Sequence, residues 1–168
     1  MTIHPGHPFA TEPSDRDAAR RFRGRLAAPV TLWLTGADDG RAGLTVSSVL
    51  VALGEPASVL GLIDPDSSFA DALGAAFTVT VLSPADRVLA DAFAGLAPAP
   101  GGPFRAASFL DTPWGPRPAG ERTWLGARVT ELRPLGWSVQ VLGAVEHVAL
   151  ADETPAVHLR GRYRTLAP

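Results

Sequence analysis

Hydrophobic and polar positions alternate with period two over most of this chain, and fall at helical spacing in only three places. Residues 29–35, rich in β-branched and aromatic side chains, predict a first strand. Asp39-Gly40 and Gly43 supply turn chemistry, and residues 44–51 alternate as a second strand. Glu55-Pro56 breaks the chain before a third strand at 58–63, and a fourth follows at 77–82. The last third carries three more candidates, at 123–132, 137–148 and 156–163, separated by Pro134-Leu135-Gly136 and Asp152-Glu153.

The helical signals are short. Ser14 reads as an N-cap, with Asp17 three residues on and Ala18, Ala19, Phe22 and Leu26 on one face. Arginines fill the rest of that helix and predict a solvated basic face. Asp64-Pro65-Asp66-Ser67-Ser68 opens a second helix, with Phe69 and Leu73 apolar. Ser83-Pro84 opens a third, with Asp86 three residues after the cap and an apolar face of Val88, Leu89, Ala92 and Phe93 ending near Gly95. Six or seven strands with two or three inserted helices, and no regular strand–helix alternation, predict a mostly β, mostly antiparallel closed sheet. The expected organisation is a flexible arm over residues 1–13 and one domain over 14–168.

Composition narrows the chemistry. The chain has no cysteine, which removes disulfides, thiolate metal sites and cysteine nucleophiles. The net charge of −2 gives no general attraction to nucleic acid or anionic lipid. No apolar run approaches the roughly 18 residues of a membrane helix, and the first residues lack a secretory pattern, so the expected location is the cytoplasm. Dinucleotide, phosphate-loop, zinc-hydrolase and serine-hydrolase motifs are missing. His4 and His7 sit in the arm without a third ligand, so no metal site is expected; His147 and His158 read as structural strand residues.

Gly43-Leu44-Thr45-Val46-Ser47-Ser48, the Ser67-Ser68 loop, the strand from Phe77 to Leu82 and the helix ending Phe93-Ala94-Gly95 follow one another in an ordered set. Together they resemble the flavin reductase-like family, over about residues 22–166. That resemblance implies a Greek-key split β-barrel with FMN as cofactor (FAD as the alternative), a homodimer, and NAD(P)H as hydride donor. It implies cofactor contacts from Thr45, Val46, Ser47 and Ser48 at the ring edge, from Asp64, Ser67, Ser68 and Arg87 at the phosphate, and from Phe93, Ala94 and Gly95. The implied activity is flavin reduction, supplying free flavin or a flavin-dependent monooxygenase; the alternative is a flavin-binding electron relay without NAD(P)H turnover. No residue need act as acid or base, because hydride moves directly between nicotinamide and flavin. Many members carry Gly-Asp-His ahead of a strand ending in Gly-x-Val. The matching triplet here is Gly136-Trp137-Ser138, without the histidine associated with the nicotinamide side.

Overall fold

The alternating stretches pair into a curled seven-stranded antiparallel sheet. In this computed structural model, which describes residues 13–166, the chain runs through α1 (Pro13–Arg25), β1 (Ala28–Pro29), β2 (Thr31–Thr35), β3 (Ala42–Val46), β4 (Val49–Ala52) and β5 (Ser58–Ile63). It continues through α2 (Ser68–Ala72), β6 (Ala76–Val81), α3 (Arg87–Phe93), β7 (Phe109–Thr112) and β8 (Gly115–Pro118). Then come β9 (Trp124–Leu135), β10 (Ser138–Ala149), β11 (Ala156–Leu159) and β12 (Arg162–Thr165). Apart from Pro13, the expected arm lies outside the described residues.

The main sheet has the order β3-β2-β6-β9-β10-β5-β4. Consecutive strands β3 and β4 therefore form its two opposite edges. Val46 closes the β2–β3 ladder opposite Thr31, and the Ser48 carbonyl accepts from the Leu62 N–H at 3.0 Å on the β5 side. The change of partner happens at Ser47. This is the split-barrel architecture expected from the sequence, and β1, β11 and β12 form a small separate sheet.

Every residue of β2 is buried, because both faces are covered. Trp33 points into the main core, stacked on Phe77 with centroids 4.8 Å apart and edge-on to Phe69 at 6.2 Å. Gly61 permits this: a Cβ there would lie 2.6 Å from the indole. Leu32 and Leu34 point the other way, into a second cluster with Leu89, Ala90 and Phe93 of α3. The start of that segment is set by the expected capping box. Ser83 N–H donates to Asp86 Oδ2 at 2.8 Å, and Arg122 reaches the same oxygen at 2.7 Å. Burial raises the Asp86 carboxyl pKa, but Arg122 and the Ser83 donors outweigh it and hold the group below its ordinary value.

Two expectations are corrected, and one hairpin is added to them. Residues 44–51 are two strands, since period two records which face a side chain takes and not which strand its backbone joins. Residues 156–163 are a hairpin, turned by Arg160 and Gly161, both with positive φ. The β7–β8 hairpin was not expected, because Pro116 and Pro118 break a strand pattern that a two-stranded ribbon tolerates. The apolar face of α1 also stays exposed at Phe22 and Leu26. Among the described residues, no helix is long and apolar enough to cross a membrane.

Candidate functional site

Strand alternation divides the Gly43–Ser48 motif into two halves. Gly43 and Thr45 face α3. A Cβ at Gly43 would sit 2.2 Å from Leu34 Cδ2 and 2.7 Å from the Phe93 ring, so only glycine allows helix and strand to meet this closely. One residue pair along, Thr45 Oγ1 donates to the Ala90 carbonyl at 2.7 Å. Val46 is a core residue, and its carbonyl accepts from Thr31 Oγ1 at 2.6 Å. The first half of the motif docks a helix. The second half, Ser47 and Ser48, opens onto a cleft.

That cleft lies between α1 and the β4–β5 edge and holds about 850 Å³, within the size range of small-molecule and cofactor sites. Ser47 and Ser48 form its polar floor. Leu60 and Leu62, the outward-facing residues of β5, give it an apolar wall. The opposite wall is basic, with Arg20, Arg23 and Arg25 from α1 and Arg160 and His158 from the β11–β12 hairpin. The hairpin is tied to the helix by the Arg160 N–H, which donates to the Gly24 carbonyl at 2.7 Å. A hydroxyl-bearing seam, an aliphatic wall and cationic groups suit the polar ring edge, the ring face and the phosphates of a flavin or nicotinamide nucleotide. Sequence reasoning missed the arginine wall. Its signal was the repeated arginines of α1 together with Arg160-Gly161-Arg162, residues far apart in the chain.

The remaining expected contacts are distributed elsewhere. Asp64, Ser67 and Ser68 form the loop entering α2. Ser67 Oγ donates to the Asp64 carbonyl at 2.6 Å and accepts from the Ala70 N–H at 3.2 Å, so its hydroxyl is spent as a helix cap. The Ser68 hydroxyl is exposed, with no partner among the described residues. Arg87, 74% exposed, pairs with Asp91 at 3.7 Å. Phe93 is a core residue, edge-on to Phe104 at 5.0 Å. Ala94 and Gly95 terminate α3, with Gly95 at φ 67°. Among the described residues, the cleft lining contains Ser47 and Ser48 and none of the other nine expected contacts.

Gly136 and Trp137 form the turn of the long β9–β10 hairpin, and Ser138 opens β10 opposite Leu135. Trp137 is more than half exposed there. His147 packs between Trp114 and Trp124, at 5.3 and 4.6 Å, as a structural residue. His158 instead lines the cleft.

A family model described as "Flavin reductase like domain" matches residues 23–167. No curated protein matches the chain. Among solved structures, the NADH:FAD oxidoreductase SgcE6 of Streptomyces globisporus is 24% identical, with a TM-score of 0.82 over 94% of this chain and 96% of its own. A nitrilotriacetate monooxygenase component B homolog from Mycobacterium thermoresistibile is 22% identical, with a TM-score of 0.84 over 94% and 90%. The styrene monooxygenase flavin reductase of Pseudomonas putida S12 is 18% identical, with a TM-score of 0.77 over 89% and 97%.

Proposed function

The chain belongs to the flavin reductase-like domain family, and from that premise we propose that it is an FMN-using reductase, taking hydride from NAD(P)H and passing electrons to free flavin or a flavin-dependent monooxygenase. The observation that carries this reading is the family match across the fold, with Ser47-Ser48 opening onto a cleft of cofactor size. When bound, the flavin supplies the hydride-accepting centre. The protein's part is to bind, orient and exclude water. Hydroxyls and backbone groups at Ser47 and Ser48 meet the polar edge of the ring, and Leu60 and Leu62 cover apolar surface. The Ser68 hydroxyl and the N–H groups of the 64–68 loop take the FMN phosphate, with Ser67 holding the loop as a cap and Arg87 as the candidate cation. The histidine found in many relatives is replaced by the Gly136-Trp137-Ser138 turn, which would offer a bound nicotinamide no titratable side chain at that position.

Two copies pair through the β4 edge. Leu50, Val51 and Leu53 are exposed there, Leu53 at 93%, and Val148 and Leu150 extend the same apolar character from the end of β10. The mean hydropathy of +0.12 fits a surface that is covered in solution. Similar structures named as reductase components of monooxygenases support an oxygenase as the consumer of reduced flavin.

The test is NAD(P)H oxidation by the purified protein with and without added FMN, beside a flavin fluorescence titration. Turnover that depends on FMN is expected, and Ser47→Ala with Ser48→Ala weakens flavin by about tenfold. Flavin binding with no oxidation of either nicotinamide donor would leave the electron-relay reading in its place.

A further inference from the structure

The distribution of charge in this chain is uneven in a way its net value of −2 conceals. Away from the cleft, arginines meet carboxylates: Arg87 with Asp91, Arg122 with Asp86 and Glu153, and Arg128 with Glu146. The composition of the cleft is different. Its described lining holds five arginines and His158, and no aspartate or glutamate. Neither Arg20, Arg23 nor Arg160 is paired with a carboxylate among the described residues.

A plain solvated helix face accounts for the α1 arginines alone, but not for Arg160. It comes from a different element and sits at φ 52°, a left-handed conformation ordinarily left to glycine or asparagine. The neighbouring Gly161 turns the hairpin beside it. The Arg160 N–H is fastened to the Gly24 carbonyl at the end of α1 at 2.7 Å, which holds the hairpin turn beside the helix. Two locked elements thus bring guanidinium groups to one wall, facing the Ser47-Ser48 floor.

Resting on the reductase reading, we propose that this wall selects the nicotinamide donor with the additional ribose 2′-phosphate, NADPH over NADH, with Arg20, Arg23 and Arg160 contacting that phosphate. The two donors share the pyrophosphate and differ only in this ester, which carries about −1.5 to −2 charge near neutral pH. In Rossmann-type folds a carboxylate on the 2′-hydroxyl favours the unphosphorylated ribose, and the described lining of this cleft has no such group. Guanidinium forks match phosphate oxygens in paired hydrogen bonds, and an arginine accommodates a 2′-phosphate where a carboxylate repels it.

The decisive measurement is calorimetric titration with adenosine 2′,5′-bisphosphate and 5′-AMP, which needs no turnover, beside kcat/KM for NADPH and NADH. Wild-type protein binds the bisphosphate at least about tenfold more tightly than 5′-AMP, and prefers NADPH by a similar factor. Arg20→Gln with Arg23→Gln, and separately Arg160→Gly, each reduce that preference several-fold. Glutamine keeps the helix and glycine keeps the hairpin turn, and circular dichroism checks both. Equal binding of the two nucleotides by wild type, or a preference untouched by both variants, overturns the proposal. If wild type favours the bisphosphate but oxidises neither donor, the reductase reading fails and the phosphate wall stands. If both donors are oxidised equally, the reverse holds.

Discussion

Replacing Gly43 by alanine adds one methyl group where there is no room for it. The new Cβ falls 2.2 Å from Leu34 Cδ2 and 2.7 and 2.8 Å from two Phe93 ring atoms. Ordinary carbon contacts need about 3.5–4.0 Å, so strand and helix must part by roughly 1 Å or more. Neither neighbour can yield easily. Leu34 is fully buried between β2 and α3, and Phe93 is held edge-on by Phe104 and Phe109. Overpacking of this kind costs about 1–3 kcal/mol, and stretching the Thr45–Ala90 hydrogen bond adds about 1 kcal/mol. At about 2–4 °C per kcal/mol for a domain of this size, the Gly43→Ala Tm falls by roughly 4–16 °C. Calorimetry on the flavin-free protein measures it. A cycle with Leu34→Ala, which removes the nearest clashing atom, yields a coupling of about 1 kcal/mol or more. Because Gly43 serves helix docking and Ser47-Ser48 the cleft, flavin affinity of the folded variant changes little beside the loss of stability. A Tm within about 1 °C of wild type, or strict additivity in the cycle, refutes the close-packing argument.

Other outcomes follow from the same contacts. Tyr163 is the sole tyrosine, and burial, assisted by Asp91 and partly opposed by Arg87, pushes its phenol up to about 12. Ultraviolet difference absorbance should show tyrosinate forming at that pH, and Asp91→Asn should lower the midpoint; a wild-type midpoint near the ordinary value of about 10 contradicts the burial. Asp86→Asn is expected to destabilise the fold by about 2–4 kcal/mol near neutral pH, since Arg122 and the Ser83 N–H lose their charged acceptor. The Asp86 carboxyl is depressed in the folded state, so its contribution is full above the unfolded value of about 3.9 and disappears as pH falls through the folded one. Urea unfolding of wild type and variant should therefore converge in acid, and a gap that persists there argues against the ion pair. Ser67→Ala should cost about 1 kcal/mol through the lost cap, whereas Ser68→Ala leaves stability nearly unchanged and weakens FMN relative to riboflavin in a fluorescence titration.

Much of the barrel is legible in the sequence because half-buried strands write their facing into every second residue. The predicted third strand, 58–63, coincides with β5, and its alternation separates Val59 and Ile63 in the core from Leu60 and Leu62 in the cleft. Ser83, Pro84 and Asp86 announce their capping box equally well, since the whole interaction is local. What stays hidden is partnership between distant segments. Nothing in Val46-Ser47-Ser48-Val49 reveals that the two valines belong to opposite edges of one sheet. Thr45 and Phe93 belong to the recognised motifs, yet their side chains are committed to α3 docking, which only the packed structure exposes. The basic α1 face looks like solvated surface until Arg160, some 140 residues away in the chain, joins it on one wall of the cleft.

The placement of β3 and β4 has a consequence for how the protein is assembled and held. Hairpins β2–β3 and β4–β5 are each local and can form early, but they flank Ser47 like two hands at the ends of a belt. In the sheet β6, β9 and β10 stand between them, so the polar floor of the cleft is complete only when all seven strands are in place. A molecule bound at that buckle binds no partly opened form. Its binding energy therefore opposes separation at every strand boundary, and saturating ligand should slow amide exchange throughout the sheet, not only beside the cleft.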